Sequence, residues 1–183
     1  MRPEQWLENF KGHFCTITSH KLMVMKLCFR LGLVKQGLLH DLSKYSPVEF
    51  LPGVKYYQGH RSPIAAEKEE KGYAAGWLHH KGRNKHHHEY WIDMTSQKEK
   101  GFQGMRMPDC YVAEMFCDRV AASKIYYKEK YTDRTALEYY EREKDYIILH
   151  PEVRALLEKL LHMLAERGED VTFAYIRRKV LKK

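Results

Sequence analysis

Hydrophobic residues recur along this chain with the spacing of a helix, and no stretch of useful length alternates as a strand does. Residues 18–31 show the pattern most clearly, because one apolar stripe follows the whole segment. The stripe includes a histidine and consists of His20, Val24, Leu27 and Leu31. The periodicity therefore predicts an amphipathic helix whose inward face carries an imidazole.

Caps and breakers divide the rest of the chain into further helical segments. Ser46-Pro47-Val48-Glu49 has the pattern of a capping box with proline at the first helical position, and Ser62-Pro63 starts a helix by the same logic. Residues 95–107 are polar and lack a period, which predicts a loop. We predict an all-α protein, a single-domain helical bundle over residues 1–183. The predicted helices are 3–12, 18–31, a short one at 38–42, one that follows Ser46 and is interrupted by Pro52-Gly53, 63–80, 108–130, one capped by Thr132 or Asp133 and ended by His150-Pro151, 151–167 and 171–181.

Charge and cysteine placement restrict the class of protein. The formal charge is +8, but acidic and basic residues are mixed almost throughout, and only the stretch 177–183 is one-sidedly basic. We interpret that tail as a solvated helix end, so nucleic-acid binding is compatible with the sequence but not favoured. No apolar run approaches the ~20 residues of a membrane span, and the first residues lack the apolar core of a signal peptide. The cysteines form no CxxC pair, which favours a reducing cytoplasm; they are Cys15, Cys28, Cys110 and Cys117.

A His-Asp pair stands inside the stretch Leu38–Lys44. Its leucines, Leu38, Leu39 and Leu42, predict a helix that packs against the core. A carboxylate in such a place needs a cation or a full set of hydrogen bonds, because burying it costs several kcal/mol. The same requirement applies to Asp118, which lies on the inward face of the predicted helix 108–130.

Three predicted helices thus carry inward polar side chains: His20, the pair His40-Asp41, and Asp118. Each alone could be a hydrogen-bonded core residue or a local cap. Imidazole nitrogens and carboxylate oxygens together are also ligands of divalent transition metals. The ordered set His, His-Asp, Asp resembles the HD-domain superfamily of metal-dependent phosphohydrolases. The resemblance covers roughly residues 15–130, which would form the metal-site core, with helices of 133–183 packing on it.

The middle of the chain also resembles a narrower family of small bacterial and phage proteins, known mainly as a domain of unknown function. The residues that carry this resemblance are His40 to Phe50, Trp77-Leu78-His79-His80, Arg83 to His87, and Glu89-Tyr90-Trp91. This second resemblance says more about the fold and the site than about the reaction.

The superfamily resemblance implies one or two ions of Fe, Mn, Zn or Ni. His20, His40, Asp41 and Asp118 would hold the first ion, and Asp41 could bridge to a second. Two further histidines would complete that second site, and five of the eleven histidines lie between His79 and His88. We choose His80 and His87, with His60, His79 and His86 as alternates.

The resemblance also implies a reaction, hydrolysis of a phosphorylated small molecule or nucleotide. Asp41 and Lys44 would be catalytic, and the substrate-binding candidates are Lys44, Arg83, Asn84 and Lys85. Two alternatives stay open: a di-iron oxygenase on the same fold, and a non-catalytic helical protein that binds nucleic acid or another protein. A homo-oligomer is compatible with the sequence.

Overall fold

The computed structural model describes residues 2–96 and 101–182. Helices dominate it, and the strands are confined to one short antiparallel pair, so the prediction of an all-α single-domain fold is confirmed. The helices are α1 (Pro3–Arg30), α2 (Val34–Leu39), α3 (Pro47–Lys55), α4 (Pro63–Lys71), α5 (Ala75–Lys81), α6 (Asp109–Tyr127), α7 (Thr135–Glu143) and α8 (Pro151–Tyr175). The strands are β1 (Ile92–Met94) and β2 (Phe102–Gly104).

The main hydrophobic core lies where α1, α6, α7 and α8 meet. Its largest fully buried side chains include Phe116 of α6, Tyr140 of α7 and Leu160 of α8. Burying an apolar side chain of this size contributes roughly 1.5–3 kcal/mol to folding. α6 is buried on most of its circumference, because one side faces this core and another faces a cluster of polar side chains described below.

α1 is one continuous helix of 28 residues rather than the two segments that the sequence predicts. The supposed break is 13–17, which is helical and directly follows Gly12, a position of close packing. A Cβ atom at this position would lie 2.4 Å from Cε1 of Tyr57, so the side chain of Tyr57 occupies the space that only glycine leaves open. The prediction of a break was wrong because 13–17 packs against a distant helix: His13 contacts Phe50, and Ile17 lies in a small apolar cluster with Phe50.

The segment 38–42 is not a buried helix. α2 ends at Leu39, Asp41 has a left-handed backbone with φ of 55°, and a 3₁₀ turn follows. Leu38 and Leu39 are 51% and 52% exposed, and Leu42 is 47% exposed. The prediction was wrong because helical spacing does not continue past the end of α2: the change in direction takes the leucines to the surface and the His-Asp pair inward.

Two other boundaries differ from the predictions. The predicted helix 63–80 is interrupted after α4 by Gly72, a left-handed cap with φ of 79°, before α5 begins. Pro52 lies inside α3 and does not interrupt it. Ser46 occupies the capping position of α3, but its side chain makes no cap bond there, so the reciprocal capping box with Glu49 does not form.

The predicted loop 95–107 is partly a hairpin, in which Ile92 pairs with Gly104; residues 97–100 lie outside the described part. α7 begins at Thr135, with neither Thr132 nor Asp133 as its cap. α8 does leave helical geometry at Gly168, with φ of 75°, as predicted. In the described ranges, no helix combines the length and apolarity that crossing a bilayer requires.

Candidate metal centre

Four parts of the chain bring histidines and carboxylates to one buried place. α1 supplies His20, the turn after α2 supplies His40 and Asp41, and α6 supplies Glu114 and Asp118 one helical turn apart. α5 and the loop that follows it supply the remaining histidines, His80, His86 and His87. We call these eight residues the His/Asp cluster.

The turn that carries His40 and Asp41 is held from α1. Lys21 Nζ donates hydrogen bonds to the backbone oxygens of Leu38, at 2.7 Å, and of His40, at 2.9 Å. Positive φ is uncommon for a residue other than glycine, although aspartate tolerates it better than most. The left-handed backbone at Asp41 aims its carboxylate at the other members of the cluster.

Asp41 is the central residue of the cluster and is 98% buried, with 2% of its surface exposed. Its Oδ2 lies 3.9 Å from His20 Nε2 and 3.4 Å from His40 Nε2. Its Oδ1 lies 3.2 Å from His80 Nε2 and 3.4 Å from His86 Nε2. None of these four approaches has hydrogen-bond geometry; Oδ1 is buried without a hydrogen-bond partner, and Oδ2 forms an ion pair with Lys44. A buried carboxylate surrounded by imidazole nitrogens is the arrangement that a cation would complete.

Asp118 joins the cluster from α6. Its Oδ1 lies 2.8 Å from His20 Nε2 and 3.7 Å from His40 Nε2, and its Oδ2 lies 3.9 Å from His86 Nε2. Its side chain is 19% exposed, whereas that of Asp41 is 3% exposed. Asp118 is therefore a member of the cluster that solvent or a ligand can reach.

Three overlapping groups of side chains could each hold a metal ion, since the ligand atoms within each group lie within 4.8 Å of one another. Two of them have four members and share Asp41, and we call these two the ligand groups. The first is His20, His40, Asp41 and Asp118; the second is Asp41, His80, His86 and His87. The third is the smaller set His40, His86 and Glu114.

Carboxylates behind the rings fix the orientation of the histidines. Glu114 Oε1 lies 3.0 Å from His40 Nδ1 and 3.1 Å from His86 Nδ1, and Glu49 Oε2 lies 2.7 Å from His80 Nδ1. A ring that donates its Nδ1 proton to a carboxylate turns the lone pair of Nε2 toward the centre of the cluster. Metal-binding histidines are supported in this way in proteins.

Neighbouring charges in the cluster outweigh the effect of burial on the pKa values of two of its members, His40 and Asp41. Burial lowers the pKa of His40, but the charges of Asp41, Asp118 and Glu114 outweigh it and raise that pKa to about 10. Burial acts to raise the pKa of the Asp41 carboxyl, but His40 and Lys44 hold it well below its usual range. The carboxylates thus draw positive charge into a buried site, either as protons or as a bound cation.

Lys44 lies beside the cluster, with Nζ 2.7 Å from Asp41 Oδ2. Burial lowers its pKa, but Asp41 and Asp118 more than reverse that effect and raise it. Lys44 also lines a small cavity of about 90 Å³, together with His80 and Tyr126. A cation held here is within reach of any anion that enters the cluster from that side.

A much larger cleft, of about 820 Å³, opens onto the cluster at Asp118 and His87. We call it the aromatic cleft, after five aromatic side chains that line it: Trp77, Tyr126, Tyr127, Tyr139 and Tyr146. It also carries the basic residues Arg61, Lys68 and Arg119. The cleft is large enough for a small organic molecule.

Some of the predicted site residues lie in the cluster, and others lie behind it. All six predicted metal ligands lie in the cluster, and so does the alternate His86, which approaches Asp41 directly. His79 and Asn84 lie behind it: His79 Nδ1 is 2.6 Å from Glu49 Oε1, and Asn84 Nδ2 donates to Ser43 Oγ at 2.8 Å.

The other candidates lie on the surface. His60 is exposed at the rim of the aromatic cleft, with Nδ1 2.9 Å from the backbone oxygen of Gln58. Arg83 is exposed and donates to the backbone oxygen of His79, and Lys85 lies over the ring of Tyr90. Neither Arg83 nor Lys85 lines either described cavity.

Three residues that bear on the site were missed by sequence reasoning. Glu114 precedes Asp118 by one helical turn, and that spacing could have indicated it. Glu49 was interpreted as part of a capping box, and its role depends on the distant His79 and His80. Arg119 offers no signal in sequence beyond its position next to Asp118.

The fold and the site define an all-α protein with a buried histidine–carboxylate cluster that could hold metal ions. The chain belongs to DUF5662, a family of unknown function, whose model matches residues 9–163. This range includes every member of the cluster. No HD-domain family matched the chain. Searches of curated proteins and of solved structures gave no match.

Proposed function

We propose that this protein is a metal-dependent phosphohydrolase that acts on a phosphorylated small molecule. The observation that carries the proposal is the environment of Asp41. Two imidazole nitrogens approach each of its buried oxygens without forming hydrogen bonds, and carboxylates fix the rings of His40, His80 and His86 from behind. The HD-domain resemblance of the sequence is consistent with this arrangement.

The donor atoms fit a divalent transition metal. Neutral imidazole and carboxylate together suit Fe, Mn, Zn or Ni, whereas Mg and Ca prefer oxygen ligands alone. His20, His40, Asp41 and Asp118 would hold one ion, and Asp41, His80, His86 and His87 a second. The proposal includes one or two ions, with Asp41 as the shared ligand in the second case.

A divalent ion in such a site would polarise a phosphoryl oxygen and lower the pKa of a coordinated water. The protein's own residues supply the rest. Asp118 and His87 lie where the aromatic cleft meets the cluster, so a phosphoryl group that enters through the cleft reaches the cluster on that side. Lys44 lines the small cavity and not the cleft, but it is paired with Asp41, where it would donate a hydrogen bond to a phosphoryl oxygen that reaches Asp41 and stabilise the negative charge that develops during hydrolysis.

The first experiment is elemental analysis of protein purified without a histidine tag or a nickel column. We expect one or two equivalents of a transition metal in the wild type and loss of that metal in Asp41→Ala and in Asp118→Ala. His60→Ala is the matched control, because His60 is exposed and lies outside the two ligand groups. No metal in the wild type, even after reconstitution with Mn, Fe and Zn, would overturn the proposal.

The metal-loaded protein is then tested for release of phosphate from phenyl phosphate. Phosphate release that requires metal and is lost in Asp41→Ala supports the hydrolase. Iron in the site together with oxygen consumption, and no phosphate release, would instead favour the di-iron oxygenase. Metal without either reaction would favour a non-catalytic binding protein.

A further inference from the structure

Arg119 lies next to Asp118 on α6, and both residues line the aromatic cleft. The guanidinium carbon of Arg119 is 5.6 Å from the ring centre of Tyr140. Its Nε is buried and has no hydrogen-bond partner. Within residues 2–96 and 101–182, no carboxylate lies at ion-pair distance from Arg119.

Arg61, which lines the same cleft, is by contrast fully paired. Arg61 donates two hydrogen bonds to the carboxylate of Glu69, both at 2.8 Å. Glu89 Oε2 lies 3.1 Å from His88 Nδ1 without hydrogen-bond geometry. The guanidinium of Arg119 thus lacks the carboxylate partner that Arg61 has, and it lies over the face of an aromatic ring. A partly buried donor without an acceptor is costly unless a ligand supplies one.

A second cation points into the same space. Lys68 also lines the cleft, and its ammonium lies 5.7 Å from the ring centre of Trp77 without an ion pair in the described part of the chain. The wall thus combines unpaired positive charge with aromatic faces. Anionic groups attached to an organic body match that combination.

We propose that Arg119 is a specificity-determining residue that binds a second anionic group of the substrate. One phosphoryl group would lie at the His/Asp cluster, and a carboxylate or a further phosphoryl group of the same molecule would accept from the guanidinium. The planar fork of arginine suits both anions, because each offers two oxygens at matching spacing. This inference rests on the proposed function and narrows its substrate class to phosphoesters with a second negative group.

The test compares three probes that share one aromatic ring: phenyl phosphate, 4-carboxyphenyl phosphate and 1,4-phenylene bisphosphate. Their affinities for the metal-loaded wild type are measured by calorimetry at fixed ionic strength. We expect at least one doubly anionic probe to bind about tenfold tighter than phenyl phosphate, as a charge-assisted hydrogen-bond pair would provide. The two doubly anionic probes separate a carboxylate from a phosphoryl group as the preferred partner.

The affinity ratio is then measured in Arg119→Gln, where we expect it to fall to about one. Arg119→Lys keeps a cation but loses the fork, so we expect an intermediate ratio. Arg178→Gln is the control, because Arg178 is exposed and does not line the cleft, and it should keep the wild-type ratio. The wild-type ratio by itself tests the inference if Arg119→Gln does not fold.

Two results would overturn the inference while leaving the proposed function intact. One is hydrolysis of phenyl phosphate by a wild type that shows no preference for either doubly anionic probe. The other is a preference that persists unchanged in both Arg119 variants. If none of the three probes binds to metal-loaded wild type, this inference and the proposed function both fail.

Discussion

α6 joins two regions that are built in opposite ways. On one side Phe116 and Val120 are fully buried in the core that includes Leu160. On the other side Glu114 and Asp118 face imidazoles and a second carboxylate. The same helix thus contributes to a dry apolar core and to a buried polar cluster.

The comparison shows two sources of stability within one fold. The apolar core depends on the removal of hydrocarbon from water, which needs no partner from solution. The His/Asp cluster contains carboxylate oxygens without hydrogen-bond partners, so burial alone does not stabilise it. We infer that the core maintains the fold, while the cluster adds stability to the extent that a cation is bound.

Truncation in the core should have the largest effect. We expect Leu160→Ala to lower the free energy of unfolding by about 2–5 kcal/mol, because it leaves a cavity at a fully buried position. The loss should be the same with EDTA and with added Mn or Zn. Denaturant unfolding measures it, with His162→Ala, at an exposed position of α8, as the control. A loss that changes with metal would show that the two regions are not independent.

Added metal should stabilise the protein through the His/Asp cluster. Metal at about 100 times its Kd is expected to stabilise the wild type by about 2.7 kcal/mol, since it binds the folded state. Asp41→Ala should show no such gain, because both ligand groups share Asp41. Thermal unfolding with and without Mn or Zn gives the comparison. A gain in Asp41→Ala equal to that of the wild type would place the binding elsewhere.

The carboxylates behind the rings should have a smaller effect than the ligands. Glu114→Gln removes the carboxylate charge beside Nδ1 of both His40 and His86. We expect about 10- to 100-fold weaker metal binding, because the two rings lose the group that orients them. Glu166→Gln, at an exposed position of α8, is the matched substitution. Competition with a chelator of known affinity measures both. Equal affinity in the two variants would mean that Glu114 does not orient the ligands.

The two regions also differ in how far the sequence predicts them. Helical periodicity predicts the inward positions of His20 and Asp118, because both lie within long helices whose apolar residues repeat. It fails for Leu38 and Leu42, because α2 ends between them and helical spacing no longer relates the two side chains. It cannot choose between His86 and His87, which lie in an irregular loop where no period relates neighbouring side chains.

Long-range contacts account for the other differences. Residues 13–17 of α1 pack against Phe50 of α3, far along the chain, and a local pattern contains no information about that contact. Glu49 has the spacing of a capping residue, but two histidines from α5 compete successfully for its carboxylate. Local rules therefore describe the helices well and the polar site less well, because each polar group there has partners from several elements.

A buried histidine outside the cluster offers a finer test of the comparison. His13 of α1 packs against Phe50 of α3, with ring centres 5.2 Å apart. Burial, and to a lesser degree Lys44, lower its pKa from 6.5 to about 4. A histidine whose pKa is lower in the folded protein contributes full stability above its unfolded pKa, and that stability is lost as the pH falls from 6.5 towards 4.

We therefore expect the pH dependence of unfolding between pH 7 and pH 5 to include a loss of about 2 kcal/mol from His13. His13→Gln should remove that part of the slope, whatever its effect on stability at pH 7. Urea denaturation at several pH values, with EDTA present throughout, isolates this contribution from metal binding. His162→Ala, at an exposed histidine, should keep the wild-type slope. An unchanged slope in His13→Gln would mean that acid destabilises the fold through other groups, with the carboxylates of the cluster as the next candidates.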